Sequence, residues 1–368
     1  MPASNKNIIA IVGATGRQGG SVARTFLSTP QSSRWRVHCL TRNPSSEAAQ
    51  GLAALGAEII QADLSSIPSL VSAFSSANAI FVNTNFWEVY RGALAAGKND
   101  DEASQLAYNT EISWGKNAAI AASQIPELER FVYSAFGSMK VASGGKYARC
   151  YHFEAKAVIV AHITTELPGL AAKTSYIYAS AYSDNPLLYP RRVPFGTSWI
   201  LWLLSRVPFL VRFVPRPPPP PNSDKSKEKK ASRGGEYLMV LPGKMSTKLP
   251  VFVPDVTAGG YVRCLVEDEP AETKLLAVDW WIGLEEGMQI WEKVTGRRSH
   301  FMEVSVQLLC QTTGIREEVL EGAAFLAEFP YMCEVKGWIE PSGLKNPPRQ
   351  AMTYEDYLRT RDVHQLLA

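Results

Sequence analysis

The sequence predicts an α/β fold: a doubly wound parallel sheet with a smaller, α-rich C-terminal domain. Two observations carry the expectation. Through the first half, short apolar runs rich in isoleucine, valine and phenylalanine alternate with helix-period segments, the pattern of strands covered on both faces by crossover helices. Beyond them the chain reads as helices and irregular segments, with Gly283 to Thr295 and Glu317 to Phe329 as the clearest helices. A length of 368 residues gives room for one large domain and a satellite.

The first strand is Ile8-Ile9-Ala10-Ile11-Val12. It runs into Gly13-Ala14-Thr15-Gly16-Arg17-Gln18-Gly19-Gly20, and Ser21 to Leu27 then carries apolar residues at helical spacing. In that strand–turn–helix setting the Gly-x-x-Gly-x-x-Gly string reads as the dinucleotide-binding turn of a Rossmann-type sheet. Gly13 allows the tight reversal, Gly16 lets backbone approach a pyrophosphate, and Gly19 lets helix and strand pack closely. The start of the helix offers unpaired amides and a positive dipole end to the phosphates.

The second strand, Arg36 to Leu40, closes in Thr41-Arg42-Asn43-Pro44. A site built for NAD would place an acid here to accept from the ribose 2′-hydroxyl. The sequence has no acid before Glu47 and offers Arg42, with Arg17 as support from the glycine turn. A guanidinium matches a 2′-phosphate as a bidentate partner, so the expected cofactor is NADP(H). The third strand, Ala57 to Leu64, carries Asp63 at its end, and Ala79 to Asn85 forms the fourth. A helix over Glu102 to Ser123 precedes the fifth, Arg130 to Ser134. Ligands of open parallel sheets lie beyond the carboxyl ends of the strands. Asp63, Asn85 and Ser134 therefore fall around one crevice. After a coil from Ala135 to Arg149, a helix opens at Tyr151, and Lys173 to Ala179 is a sixth strand.

The expected division is a dinucleotide-binding domain over 1–190, with a late strand near 274–279, an insertion over 191–235, and a smaller substrate or partner domain over 236–368. In the insertion an apolar block at 198–214 is interrupted by Arg206, Pro208 and Arg212, and falls short of the ~20 apolar residues that span a bilayer. It could lie on a membrane surface or a partner. Pro217 to Pro221 and the charged run Asp224 to Lys230 cannot pack a core and are expected to be disordered. A net charge of +3 does not imply direct nucleic-acid binding. Five scattered cysteines form no Cys-x-x-Cys pair, and five histidines show no metal-binding spacing, so reduced thiols and no metal are expected. No secretory signal precedes the first strand, and a cytoplasmic location, with a nuclear one beside it, is the expectation.

Several strings together resemble the NmrA-like family, in the atypical branch of the short-chain dehydrogenase/reductases and related to isoflavone-reductase-like enzymes. They are Gly13-Ala14-Thr15-Gly16-Arg17-Gln18-Gly19, Asn83-Thr84-Asn85-Phe86-Trp87-Glu88, His152-Phe153-Glu154-Ala155-Lys156, Tyr182-Ser183-Asp184-Asn185 and Leu249 to Asp255. The resemblance covers most of the chain outside 192–235. It implies that Gly13, Ala14, Thr15, Gly16, Arg17 and Gln18 hold the pyrophosphate and that Arg42 takes the 2′-phosphate. It also implies that Asp63 and Leu64 face the adenine, that Thr84, Asn85 and Phe86 line the cofactor's middle, and that Lys140 and Lys156 approach the nicotinamide.

The resemblance further implies a test for chemistry. Ordinary members of the superfamily use Tyr-x-x-x-Lys, the ammonium helping the phenol to exchange a proton. Four residues before Lys156 stands His152, while Tyr151 and Tyr147 miss the helical register, one residue being worth about 100° of rotation. One route is an NADP(H)-dependent oxidoreductase acting on a small, secondary-metabolite-like molecule, with Lys156 as the acid/base and His152 or Tyr151 as helper. The other is a non-catalytic sensor that binds NADP(H) and signals to a transcription factor or other regulatory protein.

Overall fold

The computed structural model describes residues 6–28, 30–194, 235–313, 315–348, 352–362 and 366–367. Its centre is an eight-stranded sheet in the order β14-β11-β6-β5-β4-β1-β2-β3. The strands are β1 (Asn7–Val12), β2 (Trp35–Thr41), β3 (Glu58–Gln61), β4 (Ala79–Val82), β5 (Arg130–Ala135), β6 (Thr174–Ala179), β11 (Lys274–Ala277) and β14 (Trp338–Ile339). Every neighbouring pair in it is parallel.

Both faces are covered, which is why the central strands β1 and β4 are almost wholly apolar. Ala10, Val12, Ile80, Phe131 and Tyr133 point to one side, under α3 (Ile67–Ala73), α5 (Asp100–Ser123) and α7 (Tyr151–Glu166). Ile9, Ile11, Phe81, Val132 and Ile177 point to the other, under α1 (Arg17–Leu27) and α9 (Pro254–Glu267). This is the period-2 alternation of a pleated strand. Strand positions follow the sequence reading, with β3 and β4 shorter than expected, so Asp63 stands two residues past the end of β3 and Asn85 three past the end of β4.

Two parts of the reading need correction. The span expected to be coil, 135–149, contains the short α6 (Met139–Ala142), whose amino end is capped by Ser138. The later chain contributes more to the large sheet than one strand near 274–279. Helix α9 packs against α1 so closely that a methyl on Gly259 would stand 2.3 Å from the Ser21 carbonyl oxygen, and β14 adds the last strand. Neither was legible, because α9 sits far away in sequence and β14 is two residues long.

Beyond the sheet, two small three-stranded sheets join the later helices. One pairs β7 (Ala181–Tyr182), β10 (Lys248–Phe252) and β12 (Trp280–Gly283), and the other pairs β8 (Arg191–Pro194), β9 (Gly235–Leu241) and β13 (Ser299–Glu303). Helices α10 (Leu284–Thr295), α11 (Val306–Thr313), α12 (Glu317–Leu326) and α13 (Tyr354–Thr360) complete this portion. Strands β8 and β9 pair antiparallel, with Pro194 opposite Gly235. The apolar block and the Pro- and Lys-rich runs at 195–234 lie outside the described residues. No helix among the described residues is long and apolar enough to cross a membrane.

Gly51 lies inside α2 (Glu47–Ala54) with nothing within 4 Å of where a methyl would go. Gly51→Ala is therefore expected to stabilise the chain by up to about 1 kcal/mol, since alanine loses less backbone entropy in a helix. A urea-unfolding midpoint at or below that of the parent would contradict this.

Candidate functional site

The sheet's order reverses between β1 and β4, and the segments following these strands leave in opposite directions, which opens a crevice at their carboxyl ends. The glycine turn fills the β1 side. Gly13 has φ +76°, and a methyl there would stand 2.8 Å from the Asn83 carbonyl oxygen. A methyl on Gly19 would be 2.2 Å from the Gly13 carbonyl oxygen. Gly16 meets only the Gly13 oxygen, at 3.2 Å, so its outer side is open. Helix α1 has no acid in its first turn and no side-chain cap. Its amino end presents amides and positive dipole outward, a cradle suited to a pyrophosphate. Ala14 and Gln18 are buried beneath it, and Gln18 donates from Nε2 to the Tyr182 hydroxyl at 2.9 Å.

Arg17 has a different engagement from the one expected. Its guanidinium lies 2.6 Å from Asp184 and 2.6 Å from Asp255, with its carbon 5.0 Å from the centre of the Tyr182 ring. This clamp ties the turn to the segment after β7 and to the start of α9. Arg17, expected as support for a 2′-phosphate, is thus paired with two carboxylates, as Arg42 is with one. Arg42, one residue past β2, is half-exposed, pairs with Glu88 and lies over the Trp114 ring. Asp63 stands nearby, held below the usual carboxylate range by hydrogen bonds from the Ser65 hydroxyl and amide. Leu64 packs on the core, and its carbonyl accepts from Asn117 at 2.9 Å.

On the β4–β5 side lies a buried polar knot centred on Lys156. Its Nζ is 3.1 Å from Thr84 Oγ1, 3.3 Å from the Thr84 carbonyl, 3.3 Å from Asn83 Oδ1 and 3.2 Å from the Ser134 carbonyl. Below it, Glu111 of α5 is fully buried, with Oε1 3.4 Å from Nζ and 2.6 Å from Thr84 Oγ1. Burial pushes the Lys156 ammonium below its ordinary pKa, against the pull of Glu111. Lys156, expected as the acid/base, is thus held within this knot. Its contacts already exceed its three hydrogens, and they point inward, because α5 sets a carboxylate under it.

One turn earlier on α7, His152 faces aromatic residues. Ring centroids of Phe153, Trp87, Phe86 and Phe136 lie 4.8, 4.9, 5.9 and 6.2 Å from the imidazole. Phe86 begins α4 (Phe86–Ala95) directly after Asn85, and Phe136 directly follows β5, so the box stands at the carboxyl ends of β4 and β5. His152 Nδ1 is 3.1 Å from Glu318 Oε1, and both side chains are largely buried. Asn85 stands at the N-cap position of α4 without a side-chain capping bond, while the Thr84 hydroxyl turns down into the knot.

Tyr151 and Lys140 belong to another surface. With Tyr108, Val141, Gly144, Gly145 and Glu154 they line an open cleft of about 680 Å³ between α5, α6 and α7. Tyr151 sits about 100° around α7 from His152, and neither His152 nor Lys156 lines that cleft. Lys140 and Lys156, which the resemblance set together beside the nicotinamide, thus do not line the same surface. Glu111 and Glu318 were missed. Glu111 had left one sign, an acid at four-residue spacing within the small-residue stripe Ala103, Ala107, Gly115 and Ala119 of α5. No cluster of three or more metal-ligating side chains occurs among the described residues.

The NmrA-like family model matches residues 5–188. An NmrA-like family domain-containing oxidoreductase of Aspergillus hancockii is 40% identical over 146 residues, which is 40% of this chain and 38% of that protein. The chain thus matches well under half the length of this curated relative. Among solved structures, NmrA, a negative transcriptional regulator in complex with NADP, superposes with TM-score 0.62 at 16% identity, covering 97% of this chain and 95% of that one. A structure from work on pinoresinol-lariciresinol and phenylcoumaran benzylic ether reductases superposes with TM-score 0.63 at 14% identity, covering 97% and 99%. At such identities these two are likenesses of fold.

Proposed function

The chain belongs to the NmrA-like family, and on that premise we propose that it is an NADP(H)-dependent oxidoreductase acting on a small, aromatic or otherwise apolar molecule. The observation that carries the proposal is the meeting, at one sheet edge, of the glycine cradle and the box of Phe86, Trp87, Phe136 and Phe153 around His152. An ionisable group within an apolar wall, beside a phosphate cradle, is what proton-coupled reduction of a carbonyl or enone needs.

The cradle fits the phosphates by the room left at Gly16, with Gly13 and Gly19 letting the turn close against Asn83 and α1, and Arg42 supplies the cation for the 2′-phosphate. When bound, the reduced dinucleotide supplies a hydride. Lys156 fixes the ends of β4 and β5 through Asn83, Thr84 and Ser134, His152 exchanges the proton, and the aromatic wall excludes water and seats the substrate. The named relative is an oxidoreductase, which supports the same reading.

Purified protein is expected to consume NADPH with at least one member of a panel of quinones, enones and ketones. Arg42→Ala should weaken NADPH by about 10–100-fold, the worth of one bidentate charge-assisted pair, and leave NADH nearly unchanged. Equal losses for both nucleotides would remove Arg42 from the 2′-phosphate. Nucleotide binding without turnover of any compound, with nucleotide-dependent capture of a partner protein, would favour the regulator.

A further inference from the structure

We infer that Glu318 is a positioning residue that holds His152 in its Nδ1–H tautomer, so that Nε2 is the nitrogen that exchanges the substrate's proton. The inference rests on the oxidoreductase reading and deepens it. Glu318 comes from the first turn of α12, far along the chain from α7, and its side chain is 5% exposed. Three donors converge on it: the Ser104 hydroxyl at 3.0 Å, the His152 amide at 3.2 Å and the imidazole Nδ1 at 3.1 Å.

A carboxylate accepts and cannot donate, so its contact with Nδ1 requires a hydrogen on that nitrogen. The neutral ring must then carry its lone pair on Nε2, which makes no hydrogen bond among the described residues. The Ser104 and His152 amide bonds fix the carboxylate's position, and the ring is confined by its four aromatic neighbours. A tautomer locked by a buried acid, with the other nitrogen free of a hydrogen-bond partner among the described residues, is the arrangement of a general acid/base.

The step balances. Hydride from NADPH forms the C–H bond as the substrate's C=O π pair moves to oxygen. The Nε2–H bond of the imidazolium breaks to give the O–H, leaving NADP⁺ and neutral His152 with Nδ1–H on Glu318. Water then returns a proton to Nε2. Glu318 accepts from Nδ1 throughout the step.

The test uses the full chain labelled with ¹⁵N-histidine. Long-range ¹H–¹⁵N correlation distinguishes the two neutral tautomers, and His152→Asn identifies the His152 signals by their loss. At alkaline pH the wild type is expected to show His152 as Nδ1–H, and Glu318→Gln to move it toward Nε2–H. With NADPH and 9,10-phenanthrenequinone, both variants should lose at least about tenfold in kcat while the KM for NADPH stays within about twofold.

An Nε2–H tautomer in the wild type overturns the inference, whether or not Glu318→Gln folds. So does a Glu318→Gln protein with parental tautomer and parental kcat, which would leave Glu318 as a cap on α7 only. Absence of quinone reduction by the wild type would count against the oxidoreductase reading on that probe, and the tautomer would still decide the role of Glu318.

Discussion

Glu111→Ala is expected to destabilise the folded chain by about 3–5 kcal/mol, the cost of leaving a buried charge without its counterion. Lys156 is 6% exposed and Glu111 is 0% exposed, so water cannot take over the lost role. The deficit should depend on pH with a definite sign. Burial holds the Lys156 pKa below its unfolded value of 10.5, so between the two values the unfolded chain binds more protons than the folded one. Stability therefore rises with pH across that window. Below the folded pKa the penalty of the buried cation is fully present, and above 10.5 it has gone.

Removing Glu111 takes away the group that opposes the depression, which extends the window toward neutral pH. The Glu111→Ala deficit, measured by urea unfolding, should be largest at neutral pH and shrink as pH rises toward 10.5. Adding Lys156→Met should recover part of it, because an apolar side chain needs no counterion. A deficit below about 1 kcal/mol, the range of an exposed pair, or one flat with pH, would show that Lys156 and Glu111 are not coupled as described.

That knot also shows where sequence reasoning stops. The glycine turn, the apolar strands and the placing of Asp63, Asn85 and Ser134 at strand ends are local properties, and they were legible because period and turn chemistry are written over a few residues. Lys156 was found from its helix, but its direction depends on Glu111, 45 positions earlier on α5. Apart from its place in the small-residue stripe, Glu111 reads as one more charge on a long helix. Glu318 is harder still: an acid in the first turn of a helix has a sufficient local reason, the helix dipole, and nothing nearby says that it reaches His152. The Arg17 clamp was not legible for the same reason, since Asp184 and Asp255 are distant in sequence and share no spacing rule. Two-residue strands such as β7 and β14 give no periodicity at all.

Gly19→Ala and Gly16→Ala should separate folding from nucleotide binding within one turn. A methyl on Gly19 would stand 2.2 Å from the Gly13 oxygen, 2.6 Å from its carbonyl carbon and 2.9 Å from the Ala14 Cα. These are backbone atoms of the turn and cannot rotate away. Helix α1 would have to retreat from β1, but α9 blocks the other side, where Gly259 packs with comparable closeness on Ser21. Gly19→Ala is therefore expected to cost about 3 kcal/mol or more, the upper range for overpacking, and to yield little folded protein. Gly16 is extended, with φ −92° and ψ −178°, a conformation any residue adopts, and its methyl would meet one oxygen at 3.2 Å. Gly16→Ala should thus keep stability within about 1 kcal/mol of the parent, while its methyl occupies the space over the α1 amides. NADPH affinity by calorimetry should fall by about 10–100-fold, because backbone approach to the pyrophosphate is blocked. If Gly16→Ala binds NADPH like the parent, the phosphates do not lie against this turn, and the dinucleotide reading loses its foundation while the packing argument for Gly19 remains intact.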